Sequence, residues 1–136
     1  MKYENHIKEK KIKVIPNKLG SVMKFLVNND DFYNNFGEVY FSNISEKKIK
    51  CWKLHTKMQM NISVPIGKVL FVFKLDSEDK FYSTYLGERY YKLLNIKPGI
   101  WFGFQGLAKR NLVCNFADIP HKDKEVIKKN KNYFRF

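Results

Sequence analysis

The stretch GEVYFSNISEKKIKCWKLHTKMQMNISVPIGKVLFVF, residues 37–73, reads as a series of extended runs. GEVYFSNI (37–44), IKCWKLH (49–55), QMNISVPIG (59–67) and KVLFVFKL (68–75) carry the β-branched and aromatic side chains that suit a pleated, half-buried surface. The polar SEKK (45–48) and Gly67 mark turns between them. Side chains along a strand alternate between faces, so Ile49, Cys51, Lys53 and His55 are expected on one face of their run and Lys50, Trp52 and Leu54 on the other. In the next run Gln59, Asn61 and Ser63 alternate with Met60, Ile62 and Val64.

Outward from this block the same grammar continues. SVMKFLV (21–27), entered through Pro16 and Gly20, is expected to be the first strand, and VNNDDFYNNFG (27–37) a loop or short helical turn. FYSTYLGERYYKLLNI (81–96) fits a loop and strand or a partly helical segment. After the Pro98-Gly99 turn, IWFGFQGL continues as a strand, NLVCNFAD (111–118) is the last clear one, and the tail predicts a short helix near 122–130. Twelve Phe, eight Tyr and two Trp point the same way, since only Ala108 and Ala117 supply the best helix former. Many short strands spaced by turn residues, with no long helical period, predict an all-β antiparallel barrel or sandwich. The absence of a repeat or linker leads us to expect one domain over 1–136. Trp52, Phe71, Phe73, Trp101 and Phe104 are read as core, because aromatics dominate β cores.

The net charge of +13 is unevenly spread. Residues 1–24 carry seven Lys against two Glu, and 121–136 six basic against two acidic residues, so much of the excess lies in the ends. A basic surface has non-specific phosphate affinity. Charge concentrated in the ends is read as solvated termini, and no nucleic-acid partner is expected. Cys51 and Cys114 are too few for a disulfide framework and lack metal-type spacing. No run reaches the ~18–20 apolar residues of a membrane helix, and MKYENHIKEKKIKV has no apolar run of signal-peptide length. A cytoplasmic protein without membrane contact is therefore expected.

Only three histidines are present. His6 lies in a charged segment and His121 follows Ile119-Pro120 in a turn. His55 ends a strand, shares a face with Lys53, and precedes the polar row Gln59, Asn61, Ser63.

The block at 37–73, with IKPGIWFGFQGL and NFADIPH after it, resembles the dTDP-4-dehydrorhamnose 3,5-epimerase family, in particular a shorter, divergent branch of sugar-nucleotide epimerase and isomerase cupins. Lys50, Trp52, His55, Lys57, Met58 and Val64-Pro65-Ile66-Gly67 occupy the places of the branch pattern, and SVMKFL fits the opening strand. The resemblance implies a cupin-type antiparallel β-barrel (jelly roll), a homodimer, and a nucleotide-diphosphate-sugar substrate. It also implies substrate contacts from Gln59, Asn61, Arg89, Phe102, Arg110 and Asn115. The metal-binding cupins resemble one another in a His-x-His pair, a following Glu and a later His. Here those places hold Lys53-Leu54-His55, Gln59 and Phe102, and an ammonium, an amide and a phenyl ring do not make a divalent-metal site. No cofactor is expected.

A pocket with one histidine and no metal suits enolisation. Removing a proton beside a ketone needs a base near neutral pKa and a cation at the oxygen. His55 is the base, and Lys53, which shares its face, or Lys57, which matches the branch pattern, is the cation. The family is associated with a Tyr that returns the proton, but Cys114 falls near that place, leaving Tyr40 or Tyr85 as other acids. Asp118 is the nearest carboxylate for orienting His55, unless it is only a cap. Arg89, Lys109 and Arg110 are candidates to hold a diphosphate through guanidinium or ammonium groups. Two functions follow: epimerase or isomerase of a nucleotide-linked 4-keto-6-deoxy sugar in deoxysugar and surface-polysaccharide biosynthesis, or a non-catalytic cupin that binds a carbohydrate or sugar nucleotide.

Overall fold

The computed structural model describes residues 2–135. In chain order the strands are β1 (Ile7–Lys11), β2 (Val14–Ile15), β3 (Val22–Met23), β4 (Glu38–Asn43), β5 (Ile49–His55), β6 (Met60–Ile66), β7 (Lys68–Lys74), β8 (Tyr82–Gly87), β9 (Lys92–Ile96), β10 (Trp101–Gly106), β11 (Leu112–Ala117) and β12 (Val126–Lys128). Among the described residues helix is confined to two 3-10 turns, Lys2–Asn5 and Asp123–Glu125. The strands form two five-stranded antiparallel sheets, ordered β1-β9-β6-β11-β4 and β12-β5-β10-β7-β8, with β2 and β3 as a separate hairpin. This is the antiparallel, jelly-roll layout expected of a cupin.

Alternation along the strands makes the core. Met60, Ile62 and Val64 of β6, Val69, Phe71 and Phe73 of β7, and Leu94 and Ile96 of β9 point between the sheets, all at most 2% exposed. Each such side chain contributes roughly 1.5–3 kcal/mol when withdrawn from water. A second apolar cluster lies on the other face of the second sheet, where Trp52, Val72 and Trp101 are buried under the C-terminal tail.

Two local irregularities shape the site. The pairing of β10 with β5 shifts register between Phe102 and Phe104, which face Lys53 and Lys50 respectively. The bulge breaks the expected alternation. Cys51 packs with Trp52 in the outer cluster, while Lys50 and Lys53 both line the inner cavity. Gly103 permits the bulge, since a Cβ there would lie 2.3 Å from that of Cys51. At the β6–β7 turn Gly67 has φ +87°, and a side chain would meet the Arg110 carbonyl at 2.2 Å.

Two sequence expectations are corrected and one open alternative is resolved. The strand expected over 21–27 shrinks to Val22–Met23, which pairs only with Val14–Ile15, and the first long strand is the charged IKEKK at 7–11. Residues 81–96, left open between strand and helix, form β8 and β9. The helix expected near 122–130 is one 3-10 turn followed by β12, because Val126–Lys128 pair with the free edge of β5. No helix among the described residues is long and apolar enough to cross a membrane.

Candidate active site

A cavity of about 130 Å³ opens between the sheets at the end of β5. Strand β5 supplies His55, Lys53 and Lys50, β4 supplies Tyr40 and Ser42, β11 supplies Asn115, and β10 supplies Phe102 and Phe104. Met60, Ile62 and Val113 close its apolar base.

His55 is 5% exposed and its Nδ1 lies 2.7 Å from Oε1 of Glu125, itself 4% exposed. The other carboxylate oxygen accepts the backbone N–H groups of Lys57 and Met58 at 3.0 and 2.9 Å. Burial pushes the Glu125 carboxyl up, but the hydrogen bonds from His55, Met58 and Lys57 outweigh it and hold the group below its ordinary value. An ionised Glu125 fixes the proton of the neutral ring on Nδ1, leaving Nε2 with its lone pair for a ligand in the cavity. Phe102 stacks on the imidazole, with ring centroids 5.9 Å apart and planes at 22°. Ring position is thus set from one side by charge and from another by packing.

Tyr40 and Asn115 are direct cross-strand partners between β4 and β11. Asn115 Nδ2 donates to the Tyr40 hydroxyl oxygen at 2.8 Å, so the phenolic hydrogen is not spent on this contact. Burial pushes the Tyr40 phenol up despite that bond, keeping it protonated at neutral pH. The Oδ1 of Asn115 is a buried acceptor with no partner among the described residues, in a side chain 5% exposed. Such an atom costs free energy unless something donates to it. Lys53 is exposed at the rim, where partial burial and then the charges of Lys128 and Lys50 lower its pKa. His121, 45% exposed, also lines the mouth and pairs with Asp123 at 3.1 Å.

The structure therefore brings His55, Lys53, Tyr40, Phe102 and Asn115 to one cavity and leaves Lys57, Gln59, Asn61, Tyr85, Arg89, Arg110, Cys114 and Asp118 outside it. Lys57 is exposed, and its backbone N–H serves Glu125. Gln59 and Asn61 occupy the opposite face of β6, where both reach the carbonyl of Phe32 in the overlying loop and Asn61 also accepts from Asn95. Arg89 lies in a separate, open cleft of about 1000 Å³ with Tyr85, and Arg110 is exposed beside Gly67. Cys114 turns to the outer face, and Asp118 accepts from Gln59 N–H and Asn34 Nδ2, tying the loop to the sheet. Glu125 and the mouth position of His121 were missed by sequence reasoning. Among the described residues no group of three or more His, Cys, Asp or Glu is gathered as a metal site.

No family model and no curated protein matches the chain. Solved structures match over nearly its whole length. A dTDP sugar isomerase from Desulfovibrio desulfuricans G20 is 29% identical with a TM-score of 0.90, covering 96% of this chain and 88% of that one. A dTDP-4-dehydrorhamnose 3,5-epimerase from Sulfolobus tokodaii is 22% identical at TM-score 0.82, covering 96% and 80%. A sugar 3,4-ketoisomerase from Thermoanaerobacterium thermosaccharolyticum in complex with TDP is 17% identical at TM-score 0.79, covering 94% and 91%. The fold is thus that of the dTDP-sugar epimerases and isomerases. The neighbours agree in fold with the family that the sequence resembles, and the 29%-identical dTDP sugar isomerase supports an enzyme of this kind.

Proposed function

We propose that this chain is a cytoplasmic epimerase or isomerase of a nucleotide-diphosphate-linked 4-keto-6-deoxy sugar, acting without a metal in deoxysugar and surface-polysaccharide biosynthesis. The observation that carries the reading is the buried His55–Glu125 pair at the wall of a cavity that also holds a protonated phenol. His55 Nε2 removes the hydrogen on the carbon beside the ketone, and the C–H electron pair becomes an enolate. The negative charge on oxygen is met by the Lys53 ammonium at the rim. Tyr40 returns a proton, and a substrate hydroxyl satisfies the free Oδ1 of Asn115. At about 130 Å³ the cavity is well below the ~300–1,000 Å³ that encloses a whole drug-sized ligand, so it takes the sugar, and the nucleotide lies across the mouth.

The active species is taken to be a homodimer. The β2–β3 hairpin supports this, because it pairs with neither large sheet and leaves Val22 and the fully exposed Leu19 open to a second copy. Light scattering giving a monomer mass would refute the dimer alone.

The deciding experiment incubates wild type and His55→Asn with dTDP-4-keto-6-deoxyglucose in deuterated water and follows deuterium entering the sugar by NMR. Incorporation by wild type and a loss of ~10²–10⁴-fold in the variant is expected for removal of a general base. Equal incorporation by both proteins, or none by either, overturns the assignment.

A further inference from the structure

The carboxylate that holds His55 rides on a segment joined to the second sheet along one edge only, where the Glu125 carbonyl accepts from Thr56 N–H at 2.9 Å and Thr56 Oγ1 at 2.7 Å. The 3-10 turn that ends at Glu125 has no side-chain cap, and β12 is a three-residue edge strand with β5 as its one neighbour. Ile127 and Lys128 are exposed. Two backbone bonds extend the ladder, Trp52 N–H to Lys129 carbonyl at 2.9 Å and Lys129 N–H to Trp52 carbonyl at 3.0 Å. Edge bonds of this kind open readily when nothing apolar covers the segment.

The tail that follows β12 is docked on the outer cluster by Phe134, with Tyr133 beside it 5.4 Å from Trp101 between ring centroids. The Phe134 ring stands edge-on to Trp52 at 5.5 Å and to Trp101 at 6.0 Å between centroids, and the Lys74 ammonium lies 5.2 Å from its centre. Its carbonyl accepts the indole N–H of Trp52 at 2.9 Å. Trp52 is three positions before His55 on the same strand, and Phe134 is nine positions after Glu125. The contact of Phe134 with Trp52 therefore links the strand that carries the imidazole to the segment that carries its carboxylate.

We propose that Phe134 is a positioning residue for the catalytic pair: seated on Trp52 and Trp101, it clips the C-terminal segment to the second sheet and keeps Glu125 against His55. The part concerning turnover rests on the function proposed above. The part concerning the pair does not.

The test compares Phe134→Ala, Phe134→Tyr, Glu125→Gln and the double variant in the full chain. The first readout needs no substrate: the hydrogen-bonded Nδ1–H proton of His55, observed downfield in the proton NMR spectrum. It should be sharp in wild type and in Phe134→Tyr, and broadened or lost in Phe134→Ala. The second is sugar deuteration, where Phe134→Ala should lower kcat about tenfold with KM little changed, as expected for a group that orients a catalytic side chain. In the Glu125→Gln background the Phe134→Ala penalty should vanish, because the clip acts through that carboxylate. A Phe134→Ala protein that keeps both the proton signal and the rate overturns the proposal, as does a penalty that persists in full in the double variant. If Phe134→Ala does not fold, Phe134→Leu reads the same two quantities. If wild type deuterates no sugar, the function fails while the proton signal still decides the clip.

Discussion

Nδ1 of His55 and Oε1 of Glu125 lie 2.7 Å apart, although seventy positions separate the two residues in the chain. A buried carboxylate is tolerated only when its oxygens are saturated, and here three N–H groups do so. Glu125→Gln keeps the shape but removes the charge that steadies the ring tautomer and the imidazolium formed after proton abstraction. A fall in kcat of about 10–100-fold, with KM little altered, is expected for such an orienting partner. Steady-state kinetics of sugar deuteration checks it.

Tyr40 and His55 should separate by isotope. Tyr40→Phe leaves the base in place and removes the phenolic donor, which contacts Asn115 across the strand pair. Product formation should drop by roughly 10²–10⁴-fold, the worth of a positioned proton donor. Exchange of the substrate's own carbon-bound hydrogen with solvent should fall less, so that the ratio of exchange to turnover rises. An unchanged ratio would assign proton return to another group.

Gly103 holds the bulge that places both Lys50 and Lys53 on the cavity side. In Gly103→Ala the new methyl would stand 2.3 Å from the Cys51 Cβ, a distance that forces backbone movement. A loss of about 1–3 kcal/mol in urea unfolding is expected for such overpacking.

Stability should depend on acid through Glu9. Burial would raise its carboxyl, yet hydrogen bonds from Thr84, Tyr82 and Lys92, with the Lys92 charge, hold it below its ordinary 4.5. A carboxyl whose folded value is depressed stabilises the fold above its ordinary value, and that contribution disappears as pH falls through the folded value. The melting-temperature gap between wild type and Glu9→Gln should therefore be full at pH 6 to 7 and close below pH ~4.5. Tyr82, pushed up to about 12 by burial and by Glu9, stays a donor throughout that range.

Much of the architecture was readable because alternation is a local property. The runs at 37–75 and 101–117 announce themselves by β-branched and aromatic content, and all became strands. IKEKK at 7–11 did not, since its strand character comes from register against Lys92–Ile96 rather than from its own side chains. The site was half legible for the same reason. His55 and Lys53 could be paired by strand period, whereas Glu125 sits in HKDKEV, which reads as a solvated charge run until the tail folds back on β5. Gln59 and Asn61 alternate correctly, but alternation cannot say which face looks inward; the loop at Phe32 claims theirs. Cys51 was misassigned because a bulge resets the period.

Both tryptophans of the chain, Trp52 and Trp101, lie beneath Phe134, and neither lines the cavity. Indole emission from this protein is therefore an intrinsic gauge of whether the tail is docked, since both indoles report on the same contact. Solvent reaching the two rings would shift their emission to the red as soon as the last few residues lift, while a sugar entering the cavity leaves the signal dark to the event. Tail release and ligand capture thus have separate optical signatures in the unlabelled molecule.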